Sequence, residues 1–267
     1  MSETLPDEIA AALEHSADRR GHIGFPVHYF TEISSTNDEA ARLAELGAPE
    51  GTTVIAAAQT AGRGRFGRTW FSPPGAGLYA SVICRTVTAA PYLSLAGGVA
   101  VADGIHAATG LPVEIKWPND IVVHAGAGRW RKLAGVLSEA SSTTEGVQHV
   151  ILGFGVNLRS AAYPPEISER ATSVEVELGR EVPPGPILAE TLVALSERLA
   201  QLAAGERVAL LARWRVLAPT ATGAAVEWNS ASGPRSGRTA GIDDDGALRV
   251  LVDGGVERII SGTLKWG

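Results

Sequence analysis

Three arginines lie in a short glycine-rich segment, whose sequence is Gly62-Arg63-Gly64-Arg65-Phe66-Gly67-Arg68. Glycines let backbone amides approach an anion, and guanidinium groups bind carboxylate and phosphate oxygens through forked hydrogen bonds. The surrounding residues 51–102 contain no Asp or Glu to neutralise these arginines. Trp70 adds a flat face on which a purine can stack. The segment therefore favours an anion site, and an ordinary surface loop with solvated arginines is the alternative.

The glycines at 62, 64 and 67 also match the spacing of a dinucleotide-binding turn. Such a turn must open a helix whose N-terminus binds the phosphates. Here Pro73 and Pro74 follow closely, and prolines interrupt a helix. No Gly-Lys-Ser/Thr follows either, as a Walker loop would require. Neither common phosphate loop therefore accounts for this segment.

A second group of polar residues lies in two nearby segments, Lys116-Trp117-Pro118-Asn119-Asp120 and Arg131-Lys132-Leu133-Ala134-Gly135. If these segments form a hairpin, Lys116 and Lys132 converge near one point. Two cations there would stabilise the charge that builds on a phosphate during nucleotidyl transfer. Asn119 and Asp120 would contact phosphate and metal, or would simply form a turn. A later strand end, Gly153-Phe154-Gly155-Val156-Asn157, offers small residues and an amide for binding a base.

Other chemistries lack their residues. The six histidines show no metal-ligand spacing, and no G-x-S-x-G elbow is present. The single cysteine, Cys84, lies in an apolar run and cannot form an internal disulfide, which fits a reducing compartment. The net charge of −6 disfavours nucleic-acid and membrane-surface binding. No apolar run reaches the ~20 residues that span a bilayer, and no signal peptide is visible. We expect a cytoplasmic protein that binds neither nucleic acid nor membrane.

The elements that must position these residues follow from hydrophobic periodicity. Thr36 and Glu39 match a capping box, which predicts a helix over 38–46 that buries Ala40, Leu43, Ala44 and Leu46 and ends at Gly47. Helices are also predicted over 5–15, 93–109, 186–204 and 206–216. Strands are predicted over 53–58, 78–84, 113–117, 121–124, 133–139 and 149–156, with loops at 59–77 and 160–171 and a turn at 126–128.

From Gly223 onward, short strands alternate with tight turns such as Asp243-Asp244-Asp245-Gly246. We therefore expect an α+β fold, with a mixed β-sheet packed against helices in residues 1–218 and a small β-barrel in residues 219–267.

Taken in order, the segments at 62–73, 116–120, 131–135 and 153–157, with Ser35-Thr36-Asn37 and Gln59 upstream, resemble the biotin protein ligases. The resemblance covers roughly residues 30–160, and the tail is similar to the SH3-like C-terminal domain of that family. It implies a catalytic domain of the class II synthetase-like type. It also implies an enzyme that forms biotinyl-5'-AMP from biotin and ATP, with Mg²⁺, and transfers biotin to a lysine of a biotin carboxyl carrier domain of a carboxylase.

The resemblance also implies residue roles. The biotin-binding residues would be Ser35, Thr36, Asn37, Gln59, Gly62, Arg63, Gly64, Arg65, Lys132 and Gly135. Of these, Arg63, Arg65 and Lys132 would act in catalysis, Lys132 contacting both the biotin carboxylate and the α-phosphate. The ATP-binding residues would be Arg68, Trp70, Lys116, Asn119, Asp120 and Asn157, with Trp70 stacking near adenine and Asn157 hydrogen-bonding it. The loops at 62–72 and 160–171 would order over the ligands.

Three alternatives stay open at the level of sequence. A lipoate or octanoate protein ligase would use the same architecture and chemistry on another acid. A DNA-binding biotin sensor would need an N-terminal winged helix, for which the 33 residues before Ser34 are too few. A non-catalytic nucleotide-binding module would bind ATP without reaction. Phe66 also departs from the family pattern, since other members carry a further arginine there, so this loop is less basic.

Overall fold

The computed structural model describes residues 2–126, 128–144, 146–160, 163–230 and 233–267. The helices are α1 (Asp7–His15), α2 (Ala17–Arg20), α3 (Thr36–Glu45), α4 (Leu93–Thr109), α5 (Pro165–Ser168), α6 (Val174–Leu178), α7 (Pro184–Ala203) and α8 (Arg207–Leu217). The strands of the larger sheet are β1 (Val27–Phe30), β2 (Thr53–Ala56), β3 (Gly77–Cys84), β4 (Glu114–Lys116), β5 (Asp120–His124), β6 (Trp130–Thr143) and β7 (Gly146–Asn157). Those of the smaller sheet are β8 (Thr222–Ser230), β9 (Gly233–Ile242), β10 (Leu248–Val252), β11 (Gly255–Ile259) and β12 (Lys265–Trp266).

The larger sheet has seven strands in the order β1-β2-β3-β7-β6-β5-β4. Strands β1 and β2 are parallel and the other neighbours are antiparallel, so the sheet is mixed. Alternate residues of each strand point to opposite faces. Ala80, Val136, Leu152 and Val156 lie on the face that joins the main core with α4 and α7. The predicted α+β fold with a mixed sheet is confirmed.

Helices α4 and α7 approach closely because glycine replaces a side chain at their crossing. A Cβ atom at Gly104 would lie 2.6 Å from the Thr191 backbone. Helix α4 has the bounds predicted from its sequence, an apolar run that ends before the left-handed Gly110. This buried pair of helices supports the sheet from behind.

The smaller sheet has the strand order β11-β10-β9-β8-β12 and forms the C-terminal part of the chain. It contacts the larger sheet through the Trp117 indole, which donates to the Gly246 carbonyl oxygen over 3.1 Å. The Tyr92 hydroxyl donates to the Asp244 carbonyl oxygen over 3.1 Å. The SH3-like architecture and the division at 218/219 stay predictions.

The start of α3 differs from its prediction. Ser35 is the N-cap, and its hydroxyl accepts from the Asp38 amide, whereas the Thr36 hydroxyl bonds Gln59 instead. Leu46 is 72% exposed rather than buried, and it lies just beyond the helix, which ends at Glu45.

The 160–171 segment contains the short helix α5 rather than loop alone, and its residues 161 and 162 lie outside the described residues. So does residue 127 of the predicted turn at 126–128. Within the described part of the chain, no helix is both long and apolar enough to cross a membrane.

Candidate active site

One face of the larger sheet carries the polar residues singled out from the sequence. Cross-strand pairing places Gly155 of β7 beside Gly135 of β6, Gly135 beside Asp120 of β5, and Asp120 beside Lys116 of β4. Cross-strand neighbours share a face, so this row crosses four strands on one side of the sheet. These residues belong to sequence segments that only the strand order brings together.

The two glycines of this row leave a strip of sheet without side chains, and the Trp70 indole lies on it. A Cβ atom at Gly135 would lie 3.2 Å from the indole, and one at Gly155 would overlap it. The Trp70 Nε1 is buried there without a hydrogen-bond partner among the described residues. A buried, unpaired donor costs free energy, so the indole is held here by packing on the two glycines and by the Lys132 ammonium, which lies over its ring.

A shift in strand register directs Lys132 toward the same face. Gly135 pairs with Asp120 and Ala134 with Ile121, but the next residue of β5, Val122, pairs with Lys132. Leu133 is therefore the extra residue of a bulge, and such bulges re-aim the side chains that follow. Leu133 and Ala134 are both buried in the core, while Lys132 reaches the cleft. Its ammonium lies 2.5 Å from the Asp120 carboxylate and 5.1 Å from the centre of the Trp70 ring.

The start of α3 forms a polar pocket at one end of the cleft. The Gln59 Oε1 accepts hydrogen bonds from the Thr36 backbone amide and hydroxyl over 2.9 and 3.1 Å. The buried Ser81 hydroxyl lies 2.6 Å from Asn37 Oδ1 and 2.8 Å from Thr36 Oγ1. The Asn37 amide nitrogen donates to Glu139 over 2.6 Å. These fixed donors and acceptors suit a small polar group such as a urea.

The arginine loop folds back as a small hairpin above the cleft. The Trp70 amide bonds the Gly62 carbonyl over 2.9 Å, and the Gly64 amide bonds the Arg68 carbonyl over 2.7 Å. A 3₁₀ turn at 65–67 joins the two arms, with Phe66 in the left-handed region at φ 58°. This pairing holds all three arginines on the cleft side of the sheet.

Each arginine of the loop has a different partner. Arg63 forms ion pairs with Asp38 and Glu139 at 2.6 and 2.8 Å. Arg65 lies 3.5 Å from the Asn119 side-chain oxygen, and burial lowers the pKa of its guanidinium, which nearby Asp120 partly offsets. Arg68 donates to the Thr263 hydroxyl over 2.9 Å. The fourth arginine of this carboxylate-free stretch, Arg85, bonds the Ala44 and Ala48 carbonyls and takes no part in the cleft.

The end of the 160–171 segment pairs with β6 and closes one side of the cleft. The Lys132 amide donates to the Arg170 carbonyl over 2.7 Å, and the Thr172 amide donates to the Lys132 carbonyl over 2.9 Å. The Asn157 side chain donates to the Thr172 carbonyl over 2.9 Å. Asn157 thus lines the cleft and also ties this segment to the sheet.

The resulting cleft has a volume of about 950 Å³, enough for a small-molecule ligand with a nucleotide. Fifteen of the residues predicted to bind biotin or ATP line it: Ser35, Thr36, Asn37, Gln59, Arg63, Gly64, Arg65, Arg68, Trp70, Lys116, Asn119, Asp120, Lys132, Gly135 and Asn157. Gly62 does not line the cleft: a Cβ atom there would lie 2.5 Å from the Trp70 carbonyl oxygen and 2.7 Å from the Ser72 hydroxyl.

Several residues of the site were not among the predicted binding residues, although Tyr163 and Arg170 lie in the 160–171 segment that was expected to order over the ligands. Tyr163, Arg170, Trp130, Thr263 and Trp266 line the cleft, and Ser81 and Glu139 bond its polar end. Each reaches the site through tertiary contact rather than through a motif. Glu139 is the one residue with a local signal: it follows Gly135 and Leu137 at the two-residue period of the cleft face of β6, where a charged side chain stands out.

The described residues contain no cluster of three or more His, Cys, Asp or Glu side chains that would hold a metal ion by themselves. Asp120 is a carboxylate within the cleft. Mg²⁺ commonly binds through one or two carboxylates together with substrate phosphates. Asp120 could supply such a carboxylate, and ATP would supply the phosphates.

The sequence matches known proteins over most of its length. Residues 29–157 match the model of the biotin/lipoate A/B protein ligase family. The bifunctional ligase/repressor BirA of Bacillus spizizenii is 34% identical over 244 residues, which cover 90% of this chain and 73% of that protein. The biotin–[acetyl-CoA-carboxylase] ligase of Paracoccus denitrificans is 35% identical over 222 residues, which cover 80% of this chain and 89% of that protein.

Among solved structures, the biotin protein ligase from Aquifex aeolicus in complex with biotin and ATP aligns with a TM-score of 0.75 and 28% identity, over 90% of this chain and 98% of that one. The fold and the cationic cleft therefore define a ligase of the biotin/lipoate type. Within that class, the chain belongs to the biotin protein ligases.

Proposed function

We infer that this chain is an ATP-dependent biotin–protein ligase. It joins biotin to ATP to form biotinyl-5'-AMP and pyrophosphate, and then transfers the biotinyl group to a lysine of a biotin carboxyl carrier domain. The observation that carries this function is the single cleft that brings Lys116, Lys132 and three arginines to a polar pocket. The biotin–[acetyl-CoA-carboxylase] ligase named among the relatives supports the choice of carrier.

The first step joins two anions. A carboxylate oxygen of biotin attacks the α-phosphorus, and the bond from that phosphorus to pyrophosphate breaks. Lys132 would contact both the carboxylate and the α-phosphate, whose oxygens would replace Asp120 as its partners. Arg63 and Arg65 approach the same oxygens from the loop, and Arg68 and Lys116 serve the remaining phosphates. Cationic screening and positioning supply the acceleration.

The polar end of the cleft selects the acid. The ureido group of biotin has two N–H donors and one carbonyl acceptor. Ser35, Thr36, Asn37 and Gln59 offer complementary groups in a fixed network, with Gly135 and Gly64 lining the chain that leads to the carboxylate. A lipoyl chain has no N–H or carbonyl group at that end to use the hydrogen-bonding capacity that this network leaves, which disfavours it.

Trp70 would stack near adenine, and Asn157 would hydrogen-bond it. Asn119 and Asp120 would serve the phosphates and the Mg²⁺ that accompanies ATP. Gly62 supports the loop from behind.

The second step needs no enzyme nucleophile. The neutral amine of the target lysine attacks the acyl carbon, the bond from that carbon to the phosphate oxygen breaks, and AMP leaves while the amine loses a proton. The arginine loop and the 160–171 segment would shield the mixed anhydride from water. Two expectations stay predictions: the two loops at 62–72 and 160–171 are disordered without ligand, and the chain does not bind operator DNA. Protease sensitivity with and without biotin plus ATP tests the first, and a gel shift at varied salt tests the second.

Exchange of radiolabelled pyrophosphate into ATP tests the function. Exchange that depends on biotin is the expected result. Exchange with lipoate alone would keep the mechanism and change the substrate, and no exchange with either acid would reject the adenylation step. Transfer is then measured as biotin incorporated into a purified carrier domain and into its variant without the target lysine.

A further inference from the structure

The Lys116 ammonium lies between two indole rings. Its Nζ is 5.6 Å from the centre of the Trp130 ring and 5.4 Å from the centre of the Trp266 ring. Both distances are within the range of cation–π attraction. Trp130 belongs to β6 of the larger sheet, and Trp266 belongs to β12 of the smaller sheet. The Lys116 ammonium therefore contacts one aromatic ring from each sheet.

Each ring is held by contacts of its own. The Trp130 Nε1 donates to Glu114 over 3.2 Å, and the ring meets the His124 ring edge-on at 5.7 Å. Strand β12 pairs Trp266 with Val226 of β8, and the Gly267 amide that follows donates to the Ala225 carbonyl over 3.0 Å. Both tryptophans are thus anchored by contacts that do not involve Lys116.

Lys116 needs such support because its charge has little other compensation. Burial lowers the pKa of its ammonium, and the nearby Asp120 carboxylate only partly offsets this. Asp120 is itself ion-paired with Lys132 at 2.5 Å. Aromatic faces stabilise a cation without neutralising it or occupying its hydrogen bonds, so the ammonium stays available to an anion.

We propose that Trp266 is a positioning residue for Lys116. This inference rests on the proposed function, in which Lys116 contacts the phosphates. The neighbouring Thr263 accepts a hydrogen bond from Arg68 over 2.9 Å. The segment from Thr263 to Trp266 thus holds two of the cations that the phosphates would meet.

The kinetic test compares Trp266→Leu, which keeps an apolar side chain but removes the ring, with Trp266→Phe, which keeps an aromatic face. Trp228→Leu is the matched control, because Trp228 lies on β8 of the same sheet and does not line the cleft. In biotin-dependent pyrophosphate exchange, Trp266→Leu should raise the KM for ATP about tenfold, the order expected for one partly desolvated cation–π contact. The KM for biotin should not change, Trp266→Phe should restore most of the loss, and Trp228→Leu should resemble the wild type.

A double-mutant cycle shows whether Trp266 acts through Lys116. On a Lys116→Met background, Trp266→Leu should cause no further rise in the KM for ATP. The same rise on both backgrounds would overturn the proposal, and so would an equal effect of Trp228→Leu.

A second readout does not depend on catalysis. The chain has only three lysines, Lys116, Lys132 and Lys265, so reductive methylation with ¹³C-formaldehyde gives few signals, which Lys→Arg variants assign. Ring currents should displace the Lys116 signal, and Trp266→Leu should move it toward the ordinary lysine position while Trp228→Leu leaves it in place. If the chemical shift of the Lys116 signal does not change in Trp266→Leu, the proposal is overturned even if the wild type is active. If the wild type shows no exchange but its Lys116 signal is displaced, the proposed function is rejected, whereas the contact between Lys116 and Trp266 is supported.

Discussion

Lys132 and Asp120 form an ion pair on the cleft face of the sheet, with 2.5 Å between the ammonium nitrogen and a carboxylate oxygen. Both side chains are 35% exposed, and they reach each other across the register shift between β5 and β6. An anionic ligand that enters the cleft can take over the ammonium from Asp120, because both compete for the same charge.

Replacing Lys132 with Met should lower biotin-dependent pyrophosphate exchange by about 10²-fold or more, since a preorganised charge at the reacting phosphate is lost. The free energy of unfolding should change by no more than about 1 kcal/mol, because the ion pair is partly exposed. The control is Arg213→Met, which breaks the ion pair with Asp103 far from the cleft and should leave exchange unchanged. Equal activity of Lys132→Met and wild type would contradict the role of Lys132.

Replacing Ser81 with Ala should weaken both the fold and the polar pocket. Ser81 is fully buried and bonds Asn37 and Thr36. Leaving a buried partner unsatisfied costs about 1–3 kcal/mol, measured as the free energy of unfolding in urea. The affinity for biotin, measured by calorimetry, should fall as well. Unchanged biotin affinity in a destabilised variant would show that this network supports the fold alone.

Activity should fall on the alkaline side at a lower pH than an ordinary lysine would impose. Burial lowers the pKa of Lys116 below its usual value of 10.5, and the charged form is the one that attracts phosphate. As pH rises through this lowered pKa, the ammonium loses its proton and kcat/KM for ATP should decline. In Lys116→Arg the guanidinium stays charged, so the decline should move to higher pH. If kcat/KM for ATP declines at the same alkaline pH in the wild type and in Lys116→Arg, Lys116 is not the group responsible.

Two glycines of helix α4 should respond in opposite directions to the same change. Gly104→Ala places a Cβ atom 2.6 Å from the Thr191 backbone and should destabilise the protein by about 2 kcal/mol, because neither helix can retreat without opening the core. Gly98→Ala meets only the end of Ile115 at 3.6 Å and should stabilise it by about 0.5–1 kcal/mol through helix propensity. Thermal and urea unfolding of the two variants measure the difference, and a shared sign would contradict the close approach of α4 and α7.

The sequence predicted those parts of the site that lie within continuous motifs. Lys116 and Lys132 both line the cleft, but they do not lie at the two ends of one hairpin as expected: they belong to β4 and β6, with β5 between them. The bounds of α4 were correct because an unbroken apolar run ends at a glycine. The N-cap of α3 was placed on Thr36 instead of Ser35, since both residues can cap and only the competing bond to Gln59 decides between them.

Other residues could not be found in this way. Ser81 contacts Asn37 from 44 positions along the chain, and Glu139 contacts Asn37 from 102 positions. Such partners depend on the order of strands in the sheet, which local patterns do not specify. The position of Leu133 shows the same limit, because consecutive apolar residues fit a buried strand equally well with or without a bulge.

That bulge has a consequence for how relatives of this chain can vary in length. Residues added to or removed from the turn between β5 and β6 would leave the paired strands, and with them Lys132, in place. Without the bulge, Lys132 and Gly135, which are three positions apart, would point to opposite faces of the sheet, and the ammonium would lie on the apolar side under α4. The β5–β6 hairpin is thus tolerant of length changes at its tip but depends on the bulge at Leu133, and alignments of such proteins should be anchored on strand pairing rather than on residue counts.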